Sequence, residues 1–313
     1  MPFPLRSRAG RRLAASVAAA AGLAAVPAGC ETVRRITANP EPPPAPGLHQ
    51  EADGAGVVPA SATSAAPGKK AARRGHYVYY SDFDLDPADP LLAELDALPD
   101  QVYGELGLPP TTRVIQVFLF DTRERYERYL AVQYKGTLTP RPAYFVADPP
   151  PFGGPDELKV FTWMGDRLRA DLRHELTHAL LHGVLKDVPL WLDEGLAGYF
   201  ELPPDQDGLN AGHLDLLRRG PVHPNLARLE ELRDVRQMER PEYREAWAWV
   251  HLMLRGDPAG KRVLHDYLQV LRARKDAGPL LPRLAEVYPD PDQALADHLA
   301  GLVVPRGRAA APR

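Results

Sequence analysis

Residues 171 to 178 read Asp-Leu-Arg-His-Glu-Leu-Thr-His. On a helix, positions i and i+4 share a face, so His174 and His178 can reach one ion while Glu175 stands beside it. Two neutral imidazoles hold a divalent metal such as Zn2+ and leave room for a water, whose pKa the metal lowers to about 7. A carboxylate next to that water can take its proton as the oxygen attacks a carbonyl. The triplet therefore points to metal-assisted hydrolysis. The blander reading is an amphipathic helix with polar residues on its wet side.

A catalytic zinc needs a third protein ligand. The chain has one cysteine, Cys30, so neither a thiolate site nor an intrachain disulfide is available, and the ligand must be His, Asp or Glu. Glu194 is the candidate, within Pro189-Leu190-Trp191-Leu192-Asp193-Glu194-Gly195-Leu196-Ala197-Gly198-Tyr199-Phe200. After a short turn beyond Gly183-Val184-Leu185, a second helix can run back along the first. Its buried side would be Trp191, Leu192, Leu196 and Phe200, with Glu194 facing the two histidines. The blander alternative is a surface carboxylate at a helix start, favoured by the dipole. His182 extends the row of histidines, but eight residues of helix rise about 12 Å. His174 and His182 cannot share an ion, and His182 is expected to be structural or solvent-facing.

The elements that must position these groups follow from periodicity. His76–Tyr80, Arg113–Phe120, Pro142–Val146 and Leu158–Thr162 are rich in β-branched and aromatic residues and read as strands. Pro90–Leu106 carries leucines at helical spacing, and a second, charged helix starts at Asp121-Thr122 and runs to about Val132. A Pro/Gly loop spans Asp148–Pro155, and beyond Asp166 the chain reads as helix and loop. Strands first and helices afterwards predict an α+β domain. The strand Leu158–Thr162 is where an extended peptide would add to the sheet.

The ends carry different information. Arg6, Arg8, Arg11 and Arg12 precede an apolar run from Leu13 to Val26 that is shorter than the roughly 20 residues of a membrane span. This predicts an export signal over residues 1–29. The Ala28-Gly29-Cys30 ending resembles a bacterial lipoprotein signal, with Pro27 where leucine is usual; it implies acylation of Cys30 and a membrane tether. Residues 30–74 are Pro-, Ala- and Ser-rich and too poor in large apolar residues to build a core, so a disordered tether is expected. The folded domain then covers 75–303, with a flexible tail at 304–313. A net charge of −3 gives no electrostatic case for nucleic acid.

His-Glu-Leu-Thr-His at 174–178, paired with Trp-Leu-Asp-Glu-Gly-Leu-Ala-Gly-Tyr-Phe-Glu at 191–201, resembles the gluzincin metallopeptidases, the thermolysin and M1-aminopeptidase group. The closest likeness is to a bacterial peptidase-MA-like family. The resemblance implies a zincin-like fold, a Zn2+ cofactor held by His174, His178 and Glu194, and Glu175 as general base and acid. It also implies an oxyanion group on a later helix, for which Tyr243 in Pro241–His251 is the candidate, with His223 and His251 as alternatives and a packing role for Tyr243 as the bland reading. Two departures stand out. Fifteen residues lie between His178 and Glu194, a short connection that must be trimmed at Leu185–Pro189. Gly198 stands four residues after Glu194, where thermolysin-like enzymes place an aspartate that orients the first histidine; Asp171 and Asp193 are the possible substitutes. The expected function is an exported zinc peptidase of the periplasm or cell surface, acting on a peptide or protein substrate. A peptidase-like envelope binding or scaffold protein without activity is the alternative.

Overall fold

The computed structural model describes residues 36–37, 65–134, 141–150, 152–220, 224–273 and 276–304. Six strands form one mixed sheet: β1 (Ile36–Thr37), β2 (Lys70–Arg74), β3 (Tyr77–Ser81), β4 (Ile115–Phe120), β5 (Ala143–Asp148) and β6 (Glu157–Trp163), in the order β1-β5-β6-β4-β3-β2. The β3–β4 and β4–β6 pairs are parallel, and the others are antiparallel. Among the described residues ten α-helices are interleaved with and follow these strands: α1 (Pro90–Leu106), α2 (Arg123–Gln133), α3 (Leu168–Val184), α4 (Leu190–Phe200), α5 (Ala211–Arg219), α6 (Leu226–Glu230), α7 (Arg240–Arg255), α8 (Pro258–Arg272), α9 (Leu281–Ala285) and α10 (Pro291–Gly301). The expected α+β class is what is found.

Strand alternation sorts side chains between two cores. Ile115, Val117 and Leu119 of β4, with Phe145 of β5 and Val160 of β6, join the large core that holds α1, α3, α4 and α7. On the opposite face Phe120, Tyr144, Val146 and Phe161 pack with Tyr126, Leu130 and Tyr134 from α2 and its end. Burying a side chain of this size contributes about 1.5–3 kcal/mol. The larger core therefore fixes α3 firmly against β5 and β6.

Two sequence expectations need correction. Strand β2 lies inside the stretch predicted as tether, and so does β1. The residues Lys-Ala-Ala-Arg-Arg bring almost nothing to the core and are mostly exposed. Backbone pairing with β3 and polar anchors hold the strand instead: Arg74 bonds Asp96 at 2.7 Å and the Pro87 carbonyl at 2.8 Å, and Lys70 pairs with Asp84. A basic edge strand of this kind discourages further strand pairing, and composition alone cannot tell it from a linker. The second correction concerns Leu158–Thr162. Strand β6 is paired on both sides, by β5 and β4, so no peptide can add there. The neighbouring strand β5 is not free along its outer side either, since Ile36–Thr37 of β1 pairs with it opposite Val146 and Phe145.

The expected export signal, Cys30, His223 and most of the C-terminal tail lie outside the described residues. Among the described residues no helix is long and apolar enough to cross a membrane.

Candidate metal centre

Helix α3 is the central helix of the domain. From Asp171 to Leu181 every residue is buried, because sheet, α1 and α4 surround it. Three ionisable groups at i, i+1 and i+4 are thereby enclosed: His174 and His178 are 2% and 0% exposed, and Glu175 is 0% exposed. Such groups are almost never fully buried unless paired, so their surroundings decide what they do.

The trimmed connection is made as the spacing requires. Helix α3 ends at Val184, and Asp187 takes a left-handed conformation with φ 57°, which Asp tolerates better than most residues. Pro189 then leads into α4. Helix α4 runs back along α3 and packs most closely of all on α7. At Gly195 a Cβ would lie 2.6 Å from the Ala246 carbonyl oxygen, so only glycine allows this approach.

The return of α4 puts Glu194 against both histidines. Its Oε2 lies 3.4 Å from Nε2 of His174 and 3.6 Å from Nε2 of His178, and the three ligand atoms fall within 4.8 Å of one another. Ligand atoms about 2.0–2.1 Å from a tetrahedral zinc are about 3.3–3.4 Å apart, which is close to the edges found. All four ring nitrogens and both Glu194 oxygens are buried without a hydrogen-bond partner among the described residues. An orphaned buried polar atom costs about 1–3 kcal/mol. Three of them, Nε2 of each imidazole and Oε2 of Glu194, converge on one point and fit a divalent cation that would satisfy them together.

The far sides of the imidazoles face carboxylates. Nδ1 of His178 is 3.2 Å from Asp193 Oδ1, and Nδ1 of His174 is 3.4 Å from Glu201 Oε2. Asp193 is braced by His182, whose Nε2 lies 2.9 Å from Oδ2. Neither of the two expected orienting aspartates reaches the first histidine: Asp193 stands behind His178, and Asp171 approaches Arg167 at 3.5 Å. His182 proves structural, stacked on Phe145 of β5 with ring centroids 5.2 Å apart. Glu201 was not expected. Gly198 faces α7 rather than the histidines, its nearest neighbour there being Trp247. Seven residues after Glu194, however, two helical turns return to the same face, and Glu201 stands there. That spacing was the available signal.

Charge follows from these contacts. Burial opposes a charged His174, but Glu194 and Glu201 outweigh it and push its pKa up to about 9. Burial likewise opposes charge on His178, and Asp193 and Glu194 raise its pKa well above the usual value. Burial pushes Glu175 up to about 7, with both histidines pulling the other way. Glu194 and Asp193 are held low by the histidines against the cost of burial. The carboxylates around the two imidazoles thus favour positive charge between them.

Tyr243, in the first turn of α7, is near enough to Glu194 and Glu175 to feel both charges. That helix start is set by Glu242, whose carboxylate accepts from the Glu239 amide at 2.9 Å. Burial raises the Tyr243 pKa, so the phenol stays neutral. Arg141, just before β5, donates from Nη1 to the Tyr243 oxygen at 3.2 Å and also feels Glu194; the sequence reading missed it. The alternative oxyanion group His251 is elsewhere, its Nδ1 2.8 Å from Nε2 of His298. No protein-family model matches this chain, and no curated protein matches it.

Proposed function

We propose that this chain is a zinc-dependent peptidase of the gluzincin type, with a zincin-like domain, exported and tethered at the cell envelope through Cys30. The observation that carries the reading is the convergence of Nε2 of His174, Nε2 of His178 and Oε2 of Glu194, with the buried Glu175 carboxyl next in sequence to His174. Held by His174, His178 and Glu194, zinc would supply a Lewis acid able to lower the pKa of a water to about 7.

The protein's own residues do the rest. Asp193 and Glu201 hold the Nδ1 sides of the imidazoles and so favour Nε2 as the ligand atom. Glu175, with a pKa near ambient pH, accepts the proton of the attacking water and can return it to the leaving amine. Beside a cation, Glu175 would be held further toward the ionised form that accepts a proton. Tyr243, neutral and beside Arg141, donates a hydrogen bond to the oxyanion as charge develops on the carbonyl oxygen.

The decisive experiment pairs metal analysis with one isosteric change. The purified protein should contain about one zinc per chain and hydrolyse a dye-labelled unfolded protein until a chelator is added. Glu175→Gln should keep the zinc and the fold but lose at least about 100-fold in turnover, because an amide cannot accept the proton. Near-parental turnover in that variant would remove Glu175 from the chemistry.

A further inference from the structure

Arg173, one residue before the first ligand histidine, has no part in the chemistry above, yet its side chain is completely buried. A guanidinium has five N–H donors, and here they are directed largely at one place. Nε donates to the carbonyls of Phe200 (3.0 Å) and Glu201 (3.2 Å), and Nη2 to the carbonyl of Leu202 (2.8 Å). The remaining contacts are to α1: Nη2 donates to Gln101 Oε1 at 2.8 Å, and Nη1 to Glu94 Oε1 at 3.2 Å. Glu94 is shared with Arg169 and partly exposed, so it does not by itself explain a buried cation.

Three successive carbonyls at the end of α4 are therefore held by one side chain of α3. Carbonyls at a helix C-terminus lack intrahelical partners and carry partial negative charge, which a cation satisfies. The segment matters because Glu201 belongs to it. Phe200 is the last residue of α4, and Glu201 is the cap, where a helix frays. Its own backbone amide keeps one bond, to the Ala197 carbonyl at 2.8 Å. Adjacent residues on one turn of α3 thus grip the same short stretch in two ways: Arg173 by its backbone, His174 through the Glu201 carboxylate.

We propose that Arg173 is a positioning residue of the metal centre, pinning the end of α4 to α3 so that the Glu201 carboxylate meets Nδ1 of His174. This rests on the reading of His174, His178 and Glu194 as metal ligands. Arg167 completes the arrangement on the outer side, its Nη2 3.3 Å from Glu201 Oε1. Arg173 acts on the ion at one remove, by setting how firmly His174 is oriented.

A double-mutant cycle on the full-length protein tests this, reading zinc affinity by competition with a chromogenic chelator. Glu201→Gln should weaken zinc about 10-fold or more, the effect usual for loss of a group behind a ligand histidine. Arg173→Met should cost a comparable factor, and the double variant should bind no more weakly than Glu201→Gln alone. The visible spectrum of the Co2+-loaded protein should change in the same way in both single variants. Losses that multiply in the double variant would overturn the proposal. So would a lower melting temperature in Arg173→Met with parental zinc affinity and an unchanged Co2+ spectrum. If Arg173→Met does not fold, Arg173→Lys replaces it in the same cycle, with the same outcomes deciding. A parent protein that binds no zinc would fail at an earlier point, ending the metal reading itself.

Discussion

Two clusters of histidines lie on different seams of the same helical half, and they are electrostatic opposites. On the α3–α4 seam, His174 and His178 are bracketed by Glu194, Glu201 and Asp193, and the pKa of His174 rises to about 9. On the α7 seam, His251 meets His298, the rings of Trp247 and Tyr199, and the charge of Arg255. Burial, reinforced by His298 and Arg255, drives His251 down to about 3. His213, over Trp247, falls to about 4, mainly through burial, although Glu201 works against the fall. His251 is as deeply enclosed as His174, each 2% exposed, so depth does not decide between those two. The number of carboxylates within reach does, and it separates a pocket arranged for a cation from one in which imidazoles serve as neutral packing.

The sharpest way to break that contrast is to delete from each side. His174→Ala or His178→Ala leaves two of the three ligands, and stoichiometric zinc should disappear from the purified protein by metal analysis. His251→Phe should leave the zinc content as it was. Equal zinc loss from both seams would abolish the distinction. The next effect in size is at Glu194: Glu194→Ala should weaken zinc severely, and Glu194→Asp nearly as much because the shorter side chain does not reach. Asp193→Asn removes a charge behind His178 and should cost about 10-fold. A chelator-competition series ranks the three, and Asp193→Asn proving worse than Glu194→Ala would reverse the roles assigned to them.

The smallest effect concerns acid. His251 has a folded pKa of about 3 against about 6.5 in an unfolded chain. Above pH 6.5 both states are neutral there and the residue contributes no pH dependence. As pH falls below 6.5 the unfolded state takes up a proton that the folded state refuses, so stability declines until pH 3. Between pH 6.5 and 5 the loss from His251 alone is about 2 kcal/mol. Denaturant melts at the two pH values should show a smaller acid loss in His251→Phe than in the parent. An unchanged loss would mean that this imidazole is already charged in the folded protein.

The same contrast explains what was legible in the sequence. The three ligand-type residues could be read because their roles depend on helical spacing, and α3 and α4 form where that spacing required. The boundaries of α1 match the leucine pattern of Pro90–Leu106 residue for residue. Groups that reach the site from more distant segments were harder. Glu201 was visible in the motif, but with Gly198 at the family's position the orienting carboxylate was expected at Asp171 or Asp193. Arg141 arrives from the start of β5, and nothing local to Tyr243 announces it. Strand β2 eluded composition for the opposite reason, since backbone pairing and surface ion pairs hold it rather than apolar burial. His251, an alternative oxyanion group by sequence, packs against His298 and Trp247 instead.

One missing methyl group has a mechanical consequence. Gly195 lets the backbones of α4 and α7 meet at Ala246, where even a Cβ would sit 2.6 Å from a carbonyl oxygen. Glu194 is the residue immediately before that contact on one helix, and Tyr243 lies three residues before it on the other. The joint therefore acts as a gauge block, and the span between the carboxylate and the phenol is machined by the absence of an atom. Alanine at 195 would be a wedge, prising the helices apart by an amount that packed interiors do not absorb locally. The two groups would separate together with their helices, without either side chain having been altered.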